Sequence, residues 1–172
     1  MSFGFTTASC PCSLYGPSAT PALTGLDTKD GRSGTGPFTY ELGTKIQVTS
    51  ASQLTALEFY KSPGETGTHI GRVWNSAGTQ LAQVTFTGET ASGWQQQSLA
   101  APVALTPGQT YVVSYGANAF FAMTQSGFGT QITNGPLQSV TSSVNGVFAA
   151  SAGVFPTGSW SSSSYFVDAV VQ

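Results

Sequence analysis

The sequence predicts an all-β fold: an antiparallel β-sandwich or jelly roll with an extended N-terminal arm. Apolar residues recur with period two over short segments, and turn residues separate those segments at short, regular intervals. No stretch of twelve residues combines helix formers with a 3.6-residue apolar period. Length agrees, because 172 residues suit one domain with one sizeable core.

Residues 1–37 are rich in Pro, Gly, Ser and Thr and lack regular alternation. They are expected to wrap the sandwich as an irregular arm, with residues 38–172 forming the sandwich itself. The first strand of that sandwich reads from Tyr40 to Val48. There Tyr40, Leu42, Thr44, Ile46 and Val48 alternate with Glu41, Gly43, Lys45 and Gln47, as in a half-buried strand. Leu54 to Lys61 follows, with Leu57 and Phe59 on one face and Glu58 and Tyr60 on the other. Ile70 to Trp74, Thr79 to Phe86, Trp94 to Leu99, Thr110 to Tyr115, Phe120 to Thr124, Gly146 to Ala149 and Tyr165 to Val171 complete the set. Between them stand turns such as Ser62-Pro63-Gly64, Thr106-Pro107-Gly108 and Asn134-Gly135-Pro136, each with a residue that sets φ or tolerates a positive one. A parallel sheet is excluded, since the crossover helices it needs are missing.

Composition narrows the function. Only 7% of residues are charged, against about 25% in ordinary soluble domains. Solubility therefore rests on Ser, Thr, Gln, Asn and Gly. Such surfaces are common on exported proteins that meet neutral partners such as sugars, which points to a secreted or cell-surface protein. The net charge is −2 and no Lys/Arg cluster exists, so nothing tracks a phosphate backbone and nucleic-acid binding is excluded. Apolar runs such as Tyr111-Val112-Val113 fall far short of the roughly 20 residues of a membrane-spanning helix. No signal peptide is visible. Met1-Ser2 suits either a start placed after a removed signal or a cytoplasmic protein.

The two cysteines, Cys10 and Cys12, flank Pro11. A bridge across one residue is tight, which leaves a strained local disulfide, two free thiols or pairing with another chain. A structural role at the N-terminus is the simplest reading, since two thiols make a poor zinc site and the lone histidine is far away in sequence.

Several segments together carry a family resemblance. They are Cys10-Pro11-Cys12-Ser13-Leu14-Tyr15-Gly16-Pro17, Tyr40-Glu41-Leu42-Gly43, Leu57-Glu58-Phe59-Tyr60-Lys61 and Thr66-Gly67-Thr68-His69-Ile70-Gly71. Phe86-Thr87-Gly88-Glu89-Thr90-Ala91-Ser92-Gly93-Trp94, Gly153-Val154-Phe155-Pro156 and Ser163-Ser164-Tyr165-Phe166-Val167-Asp168 follow. In order and spacing the chain resembles the bacterial domain-of-unknown-function family numbered 4082, over nearly its whole length. The resemblance implies an extracellular β-sandwich module, often attached to surface, adhesive or carbohydrate-active proteins, with no established activity of its own. The chain departs from the family pattern after Val113-Ser114-Tyr115, where members often carry histidine and Gly116 stands here. A weaker likeness, through Glu41-Leu42-Gly43 and Leu57-Glu58-Phe59, is to galactose-binding-like jelly rolls.

Catalysis is not expected. The one histidine, His69, lies in a Gly/Thr-rich loop, and no serine stands in a nucleophile-elbow sequence. The bland role for His69 is a loop-ordering hydrogen bond. Glu41, Glu58, Glu65, Glu89 and Asp168 are available carboxylates, but nothing in the sequence pairs two of them as acid and base. Glu41 on an early strand and Asp168 on the last are candidate oxygen ligands for a structural calcium ion. Asp168 shares a face with Phe166 and Val170 and needs a partner: a cation, Lys45, Arg72 or backbone N–H groups.

Exposed aromatic faces stack on pyranose rings while polar groups reach the hydroxyls. Trp160, in a Ser-rich loop, is the best exposed candidate. Trp94 leads a Gln95-Gln96-Gln97 run and is a second ligand candidate, though it reads first as a tryptophan at the rim of the core. His69, Glu65 and Tyr60 could complete a ligand site. The expectation is a non-catalytic, carbohydrate-binding recognition module with a glycan or cell-surface polysaccharide as partner. The alternative is a self-assembling subunit of a surface layer, fibre or adhesin, in which the arm exchanges between copies.

Overall fold

The computed structural model describes residues 10–141 and 144–172. Among them are twelve strands and no helix, and every strand pairing is antiparallel. The strands form sheets packed as a sandwich.

The large sheet is built around β2 (Tyr40–Val48), whose period-two pattern gives it two different faces. One edge of β2 pairs along its length with β7 (Tyr111–Ala117), and beyond β7 lie β4 (Ile70–Asn75) and β5 (Gln80–Thr85). Its other edge is shared by β10 (Leu137–Ser139) and β11 (Gly146–Ala149), and β9 (Thr133–Asn134) pairs with β10. The facing sheet has the order β12 (Val167–Val171), β3 (Ser52–Lys61), β6 (Gly93–Leu105). A third, two-stranded sheet joins β1 (Leu23–Asp27) to β8 (Phe120–Met123).

Leu42, Ile46, Val73, Val113 and Tyr115 of the large sheet meet Leu54, Leu57, Phe59, Val167, Ala169 and Val171 in one buried core. Tyr115 stacks on Phe59 at 4.2 Å between ring centroids, and Phe86 meets Phe59 edge-on at 4.8 Å. Each such fully buried side chain contributes about 1.5–3 kcal/mol by leaving water. Behind the large sheet, Trp74, Val112 and Val147 make a smaller cluster.

The arm is less irregular than its composition suggests. It contributes β1, and Cys12 bridges Val171 with mutual backbone hydrogen bonds of 2.9 Å. Cys10 and Cys12 are bonded to each other, so the local disulfide is the option realised. Residues 1–9 of the expected arm lie outside the described residues. Two strand limits also differ from the sequence reading. β6 runs past Leu99 through Pro102, which it tolerates because it lies at an edge of its sheet and needs no outward N–H there. β12 begins only at Val167, because Phe166 takes φ = 54°.

Candidate functional site

A cavity of about 560 Å³ opens where the β1–β8 sheet meets β2 and β11. Alternation aims Tyr40 and Leu42 of β2 and Phe121 and Met123 of β8 toward it, and Phe148 and Tyr165 close its depth. Tyr40 meets Phe121 at 5.6 Å and Phe148 at 5.9 Å, both edge-on, so the rings hold one another. Arg32 lies over the other part of Tyr40 at 4.5 Å from its ring centre, and donates to the Ala150, Thr39 and Thr28 carbonyls. Trp160 lines the mouth and is 50% exposed; Leu23, 45% exposed, also lines it.

The rim is polar. It is the turn that follows β1, carrying Asp27, Lys29, Asp30 and Gly31. Asp27 Oδ1 accepts the Lys29 N–H at 2.7 Å, and Asp30 Oδ2 accepts the Tyr40 hydroxyl at 3.1 Å. Both carboxylates are otherwise exposed and keep accepting lone pairs for a ligand. Burial pushes the Tyr165 hydroxyl up to about 12, so it stays protonated and able to donate.

Among the ligand residues expected from sequence, only Trp160 is in this cavity. His69 and Glu65 are buried at 0% and 2% exposure, which removes them from any ligand surface. His69 Nδ1 meets the Glu89 oxygens at 2.8 and 2.9 Å, and Nε2 meets Glu65 Oε1 at 2.9 Å. Burial alone would lower the imidazole, but the two flanking carboxylates outweigh it and hold His69 above its ordinary value. Lys61 Nζ completes the chain, 2.8 Å from Glu89 Oε2. Glu65 in turn accepts the backbone N–H groups of Asn118, Ala119 and Phe120 at 2.6, 2.9 and 2.5 Å. Those bonds and His69 hold Glu65 below the usual carboxylate range despite its burial. The network therefore ties the 62–69, 87–92 and 118–120 connections together. Both imidazole nitrogens are occupied, so His69 has no lone pair free to act as a base.

The expected pairing of Glu41 with Asp168 around a cation is not formed. The two lie on different sheets, and each carboxylate is filled by separate protein donors. Glu41 takes Arg72 Nη1 at 2.9 Å, the Ser114 hydroxyl at 2.6 Å and the Gly153 N–H at 2.7 Å. Asp168 takes the N–H groups of Leu14, Tyr15 and Ala169 at 3.0, 2.8 and 2.7 Å. Burial still lifts Asp168 to about 7 against those bonds. No group of three or more His, Cys, Asp or Glu able to hold a metal occurs among the described residues. Gly116 sits beside the Glu41–Arg72 pair, where a Cβ would stand 3.6 Å from Glu41 Oε2 and 3.2 Å from the Ala152 Cβ.

Trp94 and Tyr60 are together but elsewhere. They are cross-strand partners, their rings meeting edge-on at 5.8 Å, and Trp94 Nε1 donates to the Ala19 carbonyl at 2.8 Å. Trp94 lines a separate cleft of about 260 Å³ with Tyr15, Pro17, Glu58 and Gln96.

Sequence reasoning missed the cavity residues Tyr40 and Phe148, which alternation marks only as core; Phe121 and Tyr165 belong to the pool of aromatics it weighed for sugar stacking, most of which it expected in the core. It also missed Asp27 and Asp30. Their clustered turn, Asp27-Thr28-Lys29-Asp30-Gly31, was the available signal. A family model described as a domain of unknown function, DUF4082, matches residues 27–167. No curated protein matches the chain.

Proposed function

Because the chain belongs to the DUF4082 family, a domain whose description assigns no activity, we propose a function from the geometry: a non-catalytic module that recognises carbohydrate in the cavity behind Trp160. One observation carries this reading. A half-exposed indole stands at the mouth of a ring-lined cavity whose rim bears two exposed carboxylates and a lysine. Aromatic faces take the C–H faces of a sugar, and Asp27, Asp30 and Lys29 offer acceptors and donors to its hydroxyls. The volume, about 560 Å³, falls in the range of small-ligand sites, roughly 300–1,000 Å³.

An extracellular setting is part of the proposal. A disulfide persists in oxidising compartments, and a low-charge surface suits neutral partners. Calcium is not needed by this reading, so its addition serves as a control. Self-assembly has less support. Cys10 and Cys12 are joined within one chain, and the described part of the arm closes on its own sandwich.

The test is a glycan array followed by affinity electrophoresis on soluble polysaccharides, with and without calcium. Trp160→Ala should weaken binding at least about tenfold, as truncating an anchoring aromatic does, without unfolding the protein. Unchanged retention of that variant, or no glycan retained by the native chain, would defeat the reading.

A further inference from the structure

Across the outer face of the three-stranded sheet runs a row of polar side chains in direct register: Asp168 on β12, Glu58 on β3 and Gln96 on β6. Two carboxylates directly opposite each other on neighbouring strands repel. Elsewhere the fold pairs its buried acids with cations: Glu41 with Arg72, Glu89 with Lys61, and Glu65 and Glu89 with His69. Neither Glu58 nor Asp168 has an ion-pair partner among the described residues.

The two acids differ in access. The arm seals Asp168, through the Leu14 and Tyr15 N–H groups. Glu58 instead lines the cleft between the arm and β6, where Ser13 alone supports it. Burial pushes its carboxyl up against the Ser13 hydrogen bond. The other groups in the cleft present little that is polar. The Trp94 N–H is spent on Ala19, and the Tyr15 hydroxyl on Ser164 Oγ at 2.5 Å. What these two residues offer the cleft is aromatic ring surface: their centroids lie 5.8 Å apart, and Tyr15 stacks one face on Phe166 at 5.0 Å. The Gln95 amide is held by Thr90 and Gly93, which leaves Gln96 as the free amide.

Aromatic rings beside a carboxylate that has no ion-pair partner are complementary to a cation that carries its charge on an apolar body. Too few carboxylates reach the cleft for a metal ion, whose hard charge wants several oxygens. We propose that the cleft formed by Tyr15, Glu58, Trp94 and Gln96 binds a small organic ammonium ion. The cleft shares no lining residue with the Trp160 cavity, so the proposal stands or falls independently of carbohydrate binding.

The experiment is a titration of ¹⁵N-labelled protein with n-butylammonium chloride and, separately, tetramethylammonium chloride. Sodium chloride at equal ionic strength and tert-butanol are the controls, and Trp94→Phe assigns the Trp94 indole signal. Both ammonium ions should move that signal saturably, with millimolar affinity, while the controls leave it in place. Glu58→Gln should weaken binding about tenfold, the equivalent of one hydrogen bond to a charged group. Gln96→Glu, which adds an acid at an exposed position, should tighten it. An equal response to tert-butanol, unchanged affinity in Glu58→Gln, weaker binding in Gln96→Glu, or no saturable shift would overturn the proposal.

Discussion

Glu41 carries a charge with no exposed surface, and three donors from separate parts of the chain meet it: Arg72 of β4, Ser114 of β7 and the Gly153 N–H. The Ser114 hydroxyl also accepts the Trp74 indole N–H at 2.8 Å, so one acid organises the outer face of the large sheet. Removing the carboxylate would leave a largely buried guanidinium and a buried N–H unpaired. Glu41→Ala should therefore cost about 3–5 kcal/mol, read as a lower urea midpoint with the slope unchanged. Little of this was legible residue by residue. Alternation put Glu41 on the face opposite Leu42, a position as consistent with solvent or a cation as with Arg72. The partner is decided by which strands become neighbours. Asp168 shows the same limit: the need for a partner was readable, but the choice of Leu14 and Tyr15 N–H groups depends on where the arm lands.

At the scale of elements, the arm is fixed from both sides. Cys12 pairs with Val171 at the edge of β12, while Asn134 Nδ2 reaches the Ser13 carbonyl at 2.8 Å from the β9–β10 turn. Gly135 in that turn has φ = 56°, and a Cβ there would stand 2.7 Å from Cys12 Sγ. Gly135→Ala meets both a disfavoured backbone region and the disulfide. It should lower stability by about 1–3 kcal/mol and speed proteolysis within residues 10–20, seen by limited digestion and mass spectrometry. Intact cleavage resistance would count against this clasp. The strong central strands were legible because burial on one face imposes period two on their sequence. β1, β9 and β10 were not. β1 is almost wholly exposed, and β9 and β10 span two and three residues, too few for a pattern to repeat.

For the whole molecule, the buried titratable groups combine into one pH response. His69 is held above 6.5; its stabilisation is complete below that unfolded value and is lost as pH rises through the higher folded one. Asp168, lifted from 3.8 to about 7, acts in the same direction, complete below 3.8 and gone above about 7. Glu41 and Glu58, both raised by burial, add to it. Glu65 opposes them on the acid side. It is held below 4.5, so its stabilisation is present above that value and is lost as pH falls through the lower folded one. The unfolding temperature should thus peak in mild acid and fall by roughly 5 °C or more between about pH 5 and pH 8. Circular dichroism melts across that range check this, and a rise would contradict it. His69→Gln should flatten the upper part of the slope.

By itself the sequence determined the class of this protein: an antiparallel sandwich with few charges and one family's signature along most of its length. It could do so because strand alternation, turn chemistry and composition are local, each read within a few residues. The tertiary structure decided which acids pair with which cations, that Glu65 and His69 are inside, and that rings from four strands or loops converge behind Trp160. Those are meetings between residues far apart in the chain, and only the packing of the sheets brings them within reach.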